Sequence, residues 1–144
     1  MERRWLGQRD LSVPVLTLGT ASFAPGPWSG TDAAQARRLV DLWLELGVNM
    51  FDTANVYANG NAEVTLGCAI QGRRDKVLIS TTDGLRSGPG EHDVGCSRRH
   101  LLEAVDGSLR RLPDLLPGCL RVAERYSCVE QLATGGGAAR DIEA

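Results

Sequence analysis

An acid and a phenol stand close together in Phe51-Asp52-Thr53-Ala54-Asn55-Val56-Tyr57, where a short apolar run gives way to polar residues. At the end of a strand, a carboxylate and a phenol can share a proton network around a carbonyl oxygen. A phenol has an ordinary pKa of about 10, so near neutral pH it donates slowly unless a neighbouring cation stabilises the phenolate. An aspartate that ends a strand before Thr-Ala is also an ordinary turn or cap residue, so the pair takes its meaning from its surroundings. Other candidates carry less. Cys68, Cys96, Cys119 and Cys128 show no Cys-x-x-Cys spacing, and His92 and His100 lie near Cys96 alone. The reading is therefore no metal site and reduced thiols. Gly88-Pro89-Gly90 opens no helix directly and lacks the next glycine of a dinucleotide fingerprint. Arg98, Arg99 and His100 read as a solvated helix face, and His92, between Glu91 and Asp93, reads as exposed.

These residues need strands and helices to hold them. Arg3–Leu6 and Leu11–Val13 form two short extended runs around Gly7-Gln8-Arg9-Asp10, a hairpin pattern. Val15–Leu18, closed by Gly19, reads as a buried strand. After the loop Ala24–Gly30, Thr31 is placed to cap a helix and Asp32 to add negative charge in its first turn. Ala36, Leu39, Val40, Trp43 and Leu46 then recur at helical spacing up to Gly47. Val48–Thr53 is a second strand, and Asn61–Gln71 a helix with Val64, Ala69 and Ile70 inward. Val77–Thr81 is a third strand. Ser97 caps a last helix that carries Leu102, Val105, Leu109 and Leu112 on one face and ends at Pro113. Strand–helix alternation of this kind predicts a parallel α/β sheet, without choosing between an open sheet and a barrel.

The 144 residues suffice for one domain with a core, and the net charge of −2 with interspersed signs presents no basic face for nucleic acid. Met1-Glu2-Arg3-Arg4-Trp5 leads into no long apolar run, so neither an export signal nor a membrane helix is read there, and a cytoplasmic location is expected.

Besides Asp52 and Tyr57, the chain carries Arg3-Arg4-Trp5-Leu6-Gly7, Leu16-Thr17-Leu18-Gly19-Thr20, Leu85-Arg86-Ser87-Gly88 and Ser108-Leu109-Arg110-Arg111-Leu112. Over roughly residues 3–112 it resembles the aldo/keto reductases, which reduce carbonyls with NADPH on a (β/α)8 barrel. A complete barrel takes about 250 residues, so the resemblance implies an incomplete (β/α)8 TIM barrel: an N-terminal β-hairpin plugging the bottom, then about three βα units. It also implies a substrate that is a small aldehyde or ketone. Tyr57 is then the proton donor, Asp52 its electrostatic partner, and Trp28, in the first βα loop, a substrate-pocket residue or a local packing anchor. The family's lysine, which lowers the phenol's hold on its proton, falls at Thr82, and its histidine at the end of a fourth strand has no counterpart. Lys76 is no substitute, because at about 3.3 Å per strand residue it sits some 20 Å away. Asp83 adds a second carboxylate near the phenol. No cofactor-binding residue is assigned, since the family holds its dinucleotide largely by loops late in the barrel.

After Leu112 the character changes. Residues 113–144 hold Pro113, Pro117, Gly118 and Gly135-Gly136-Gly137, with no β-branched run and no histidine. The expected division is 1–112 as the N-terminal part of the barrel and 113–144 as a divergent, poorly ordered tail, as after a change of reading frame or splice. Three functions stay open: an NADPH-dependent reductase by descent with little or no turnover, a non-catalytic half-barrel acting through self-association along exposed strand edges, and a small open-sheet binding module.

Overall fold

The computed structural model describes residues 1–6, 11–24, 30–112 and, for the backbone alone, 120–123. A hairpin comes first: β1 (Arg3–Trp5) pairs antiparallel with β2 (Ser12–Pro14), Trp5 opposite Ser12. The Arg3 guanidinium donates to Asn49 Oδ1 at 3.0 Å, and Asn49 Nδ2 donates to the Lys76 carbonyl at 3.1 Å. Both acceptors lie just ahead of strands of the main sheet, so the hairpin is tied to the N-terminal end of that sheet, the bottom that the sequence expected it to close. Lys76 is accordingly at the far end from Thr82.

The main sheet has four parallel strands in chain order: β3 (Leu18–Gly19), β4 (Met50–Ala54), β5 (Leu78–Thr82) and β6 (Leu120–Ala123). Its helices are α1 (Ala33–Glu45), α2 (Asn61–Ala69) and α3 (Arg98–Arg111). Phe51 stands opposite Ile79 in the register, and both enter one core with Phe23, Ala36 and Val40 of the first unit, Ala62, Leu66, Ala69 and Ile70 of the second, and Leu112. All three helical segments therefore cover the same sheet face. Side chains alternate along a strand, so Asp52, opposite Ser80, belongs to the other face.

Several expectations shift. Asp32, not Thr31, caps α1: its carboxylate accepts from the Gln35 backbone at 2.8 Å while the Gln35 side chain accepts from the Asp32 backbone, a reciprocal capping box. The first strand shortens to two residues, leaving Val15 and Leu16 exposed. Leu46 follows α1 as an exposed cap residue, and Val64 is exposed on α2, which buries Ala62, Glu63, Leu66 and Gly67 instead. On α3 the inward residues are His100, Leu101 and Ser108, with Leu112 just beyond, while Leu102 and Leu109 face outward. The sequence also offered no strand after Leu112, yet the backbone of Leu120–Ala123 pairs with Ile79–Thr82. The rest of 113–144 lies outside the described residues. Cys96 is disulfide-bonded, against the reduced state expected of it, and Cys68 keeps an exposed free thiol. Among the described residues there is no group of three or more histidine, cysteine or acidic side chains able to hold a metal, and no helix is long and apolar enough to cross a membrane.

Candidate active site

Asp52 is set by its neighbours on both sides. Its carbonyl accepts the Thr20 backbone N–H at 2.8 Å and the Thr20 hydroxyl at 2.9 Å, so the residue after β3 pins the strand that carries the acid. The carboxyl is half-buried. Desolvation lifts its pKa above the ordinary aspartate value, and a side-chain hydrogen bond with Ser80 pulls it partly back. Thr82 is the last residue of β5 and stands opposite Ala54, two residues beyond Ser80 and hence on the Asp52 face. The position at which the resemblance expects a lysine therefore lies on the Asp52 face at the C-terminal end of the sheet, and it holds a hydroxyl.

Tyr57 opens a 3₁₀ turn, Tyr57–Gly60, immediately past β4, where it is half-buried and packs against the apolar core. Inside that turn Ala58 (φ 48°, ψ 40°), Asn59 (φ 54°, ψ 41°) and Gly60 (φ 86°) are all left-handed. Such a conformation is uncommon for alanine, less so for asparagine, and persists where the surroundings over-determine it. The Asn61 side chain donates to the Ala58 carbonyl at 2.9 Å, and Asn59 N–H to the Val56 carbonyl at 3.2 Å.

Asp83 continues the helix-side face: Asn55 Nδ2 donates to its Oδ1 at 2.6 Å, and His100 Nε2 lies 3.4 Å from the same oxygen. The side chains of Asp83 and His100 are each 4% exposed. Strand alternation explains this, since Asn55 and Asp83 follow Thr53 and Thr81 in phase with the helix-facing residues. His100 is thus buried under the sheet, not on a solvated helix face; Arg98, Arg99 and His92 are exposed as read. Trp28 lies outside the described residues, and among those that are described none is assigned to hold a dinucleotide.

Sequence reasoning overlooked a second carboxylate. Glu63, in the first turn of α2, is 0% exposed; it accepts from the Thr81 hydroxyl at 2.7 Å and from Arg111 Nε at 2.6 Å. The available signal was thin: Glu63 is the one charged residue in an otherwise uncharged helix.

Residues 15–114 match the model of the aldo/keto reductase family. A probable voltage-gated potassium channel subunit beta of Arabidopsis thaliana is 38% identical over 116 residues, which are 78% of this chain and 34% of the plant protein. The holo form of aldo-keto reductase AKR11C1 from Bacillus halodurans is 40% identical with a TM-score of 0.63, over 78% of this chain and 36% of its own. An aldo-keto reductase from Klebsiella pneumoniae in complex with NADPH is 26% identical with a TM-score of 0.59, over 87% of this chain and 43% of its own. The chain thus spans about a third of the length of the plant relative, and its hairpin and parallel strands correspond to part of a (β/α)8 barrel. With the acid on β4, the phenol just past it and the matching span of sequence, this chain belongs to the aldo/keto reductase family.

Proposed function

We propose that the chain carries the acid–phenol part of a carbonyl-reducing site and, as it stands, turns over little or no substrate. Tyr57 is the proton donor by position and Asp52 its electrostatic partner, toward a small aldehyde or ketone with NADPH as the hydride source. Bound NADPH would supply the hydride; this chain's own part is to hold and deliver the proton at the Tyr57 oxygen. The observation that carries the reading is the state of Asp52. Burial raises its carboxyl and a serine hydroxyl opposes that, with no cation among the described residues adding to it, as expected when threonine occupies the lysine position.

The test is the purified chain with NADPH and 4-nitrobenzaldehyde. Absorbance at the nicotinamide band should decay no faster than in buffer, and equally slowly in Tyr57→Phe. Steady consumption that the Tyr57→Phe chain loses would overturn the proposed inactivity. Calorimetric titration with NADPH separates loss of chemistry from loss of cofactor binding.

A second reading, a non-catalytic half-barrel that works through association with another copy of itself, is favoured by the exposed apolar face of α3, where Leu102 is 45% and Leu109 36% exposed. A cytoplasmic location belongs to the same proposal; cell fractionation checks it.

A further inference from the structure

Arg111 closes α3, yet its side chain runs toward α2 and the turn that carries the phenol. A Cβ built on Gly60 would lie 2.9 Å from both Cδ and Nε of Arg111, and one on Gly107 would lie 3.0 Å from Nη1. The guanidinium is therefore threaded between two glycines, one on its own helix and one ending the Tyr57 turn. Nε donates to Glu63 Oε2 at 2.6 Å, and Nη2 lies 3.4 Å from the Ser108 hydroxyl. The other oxygen of Glu63 accepts from Thr81, the residue before the lysine position. One buried carboxylate thus joins the two segments that carry the site: the turn holding Tyr57 and the strand end holding residue 82.

We infer that Arg111, anchored by Glu63, is the positioning residue for Tyr57: it packs over Gly60, holds the left-handed turn in place, and links that turn through Thr81 to the end of β5. The inference rests on the proposed reading of Tyr57 as the site's phenol. Two features separate it from an ordinary tie between helices. The contact to Gly60 leaves no room for a methyl group, so the turn is gripped at the one residue that hands it into α2. The turn also contains two non-glycine residues in left-handed conformation, an uncommon state that persists where the surroundings over-determine it. Glycine at 60 meets two requirements together, the positive φ and the close approach.

The test uses the full chain labelled with 3-fluorotyrosine. Its two tyrosines give two fluorine resonances, assigned by Tyr57→Phe, and spectra are recorded well below each variant's melting midpoint. Arg111→Met, Glu63→Gln and Gly60→Ala should each displace or split the Tyr57 resonance by more than its linewidth, and Arg111→Lys should displace it less. Arg110→Met, on the exposed neighbour that pairs with Asp106, should leave it in place. If Arg111→Met lowers the melting temperature while the Tyr57 resonance stays within its linewidth, Arg111 is a core tie and the positioning role is wrong. Should Arg111→Met fail to fold, Thr81→Val and Arg111→Lys decide by the same criterion: displacement supports the clamp, an unmoved resonance overturns it. The readout needs neither cofactor nor turnover, so a wild-type chain found to be active would overturn the proposed inactivity and leave this result standing.

Discussion

At the scale of single residues, Asp52 gives a direct pH prediction. Its folded pKa is raised by burial, so the native state holds the proton more tightly than the unfolded chain does. The favourable contribution is therefore complete below the ordinary aspartate pKa and is lost as pH rises through the raised value, beyond which the ionised carboxylate is a burden. Asp52→Asn should accordingly raise the melting temperature relative to wild type at neutral pH, and this advantage should vanish on acidification below the ordinary carboxylate range. Parallel thermal melts across that range check it; a constant difference at all pH values would contradict it. Thr82→Lys should act in the opposite direction on the same group by supplying a cation on its own sheet face, returning the Asp52 titration toward or below its ordinary value. Asp52, Tyr57 and Thr82 were singled out through the resemblance to the family; the register then puts Asp52 and Thr82 on one sheet face, which the sequence alone does not give. The placement of Asp83 and His100 was not legible either. Nothing in Thr82-Asp83-Gly84 says that the alternation continues past the strand; it does, and it sets the Asp83 carboxylate on the helix side, against His100 of α3. Glu63 was missed for a similar reason: its partners, Thr81 and Arg111, come from distant parts of the chain.

Among elements, the caps and the helix faces are where sequence and structure part. Asp32 and Thr31 are both competent N-cap residues, and the capping box with Gln35 selects Asp32. Asp32→Ala should therefore cost about 1 kcal/mol, with Thr31→Ala costing clearly less, in denaturant unfolding of the two variants. On α3 the sequence offers two adjacent stripes of nearly equal helical spacing, one through Leu102, Val105 and Leu109, the other through Leu101, Ala104 and Ser108. The more apolar of the two faces outward. The inward one is chosen by contacts that a single-helix pattern cannot contain: Arg111 reaching Glu63 on α2, and His100 under the end of β5. Leu101, 4% exposed, marks the buried stripe, so Leu101→Ala should destabilise by about 2–4 kcal/mol and Leu102→Ala by less than about 1 kcal/mol. Equal losses at the two positions would mean that the helix is rotated from the orientation described. Removing the Arg111 partner has a larger expected effect, about 3–5 kcal/mol for Arg111→Met, because a fully buried carboxylate is left without its guanidinium.

For the molecule as a whole, a parallel sheet follows from the strand–helix alternation, and for β3, β4 and β5 that much was readable; the choice of a barrel came only with the resemblance to the family. The fourth strand was not, because Leu120-Arg121-Val122-Ala123 has neither length nor β-branched content to announce itself. Its strand character comes from the edge of β5, which presents backbone groups in register to whatever extended segment reaches it. The same logic governs association. Among the described residues β3 pairs on one side alone, and apolar side chains are exposed on the helices at both ends of the set, Leu42 on α1 and Leu102 and Leu109 on α3. An open sheet edge beside an apolar helix flank is a surface that a second copy can cover, and such surfaces drive self-pairing unless charge or bulk blocks them. If the half-barrel reading is correct, light scattering should show an apparent mass that rises with protein concentration, and Leu102→Glu/Leu109→Glu should shift it toward the monomer, since both residues lie outside the buried core. An unaltered mass in that variant would place any association on the strand edges, where charged substitutions on β3 would be the next to act. A concentration-independent monomer that melts cooperatively would remove the second reading and leave the proposed inactivity to rest on Thr82 and on the histidine position without a counterpart.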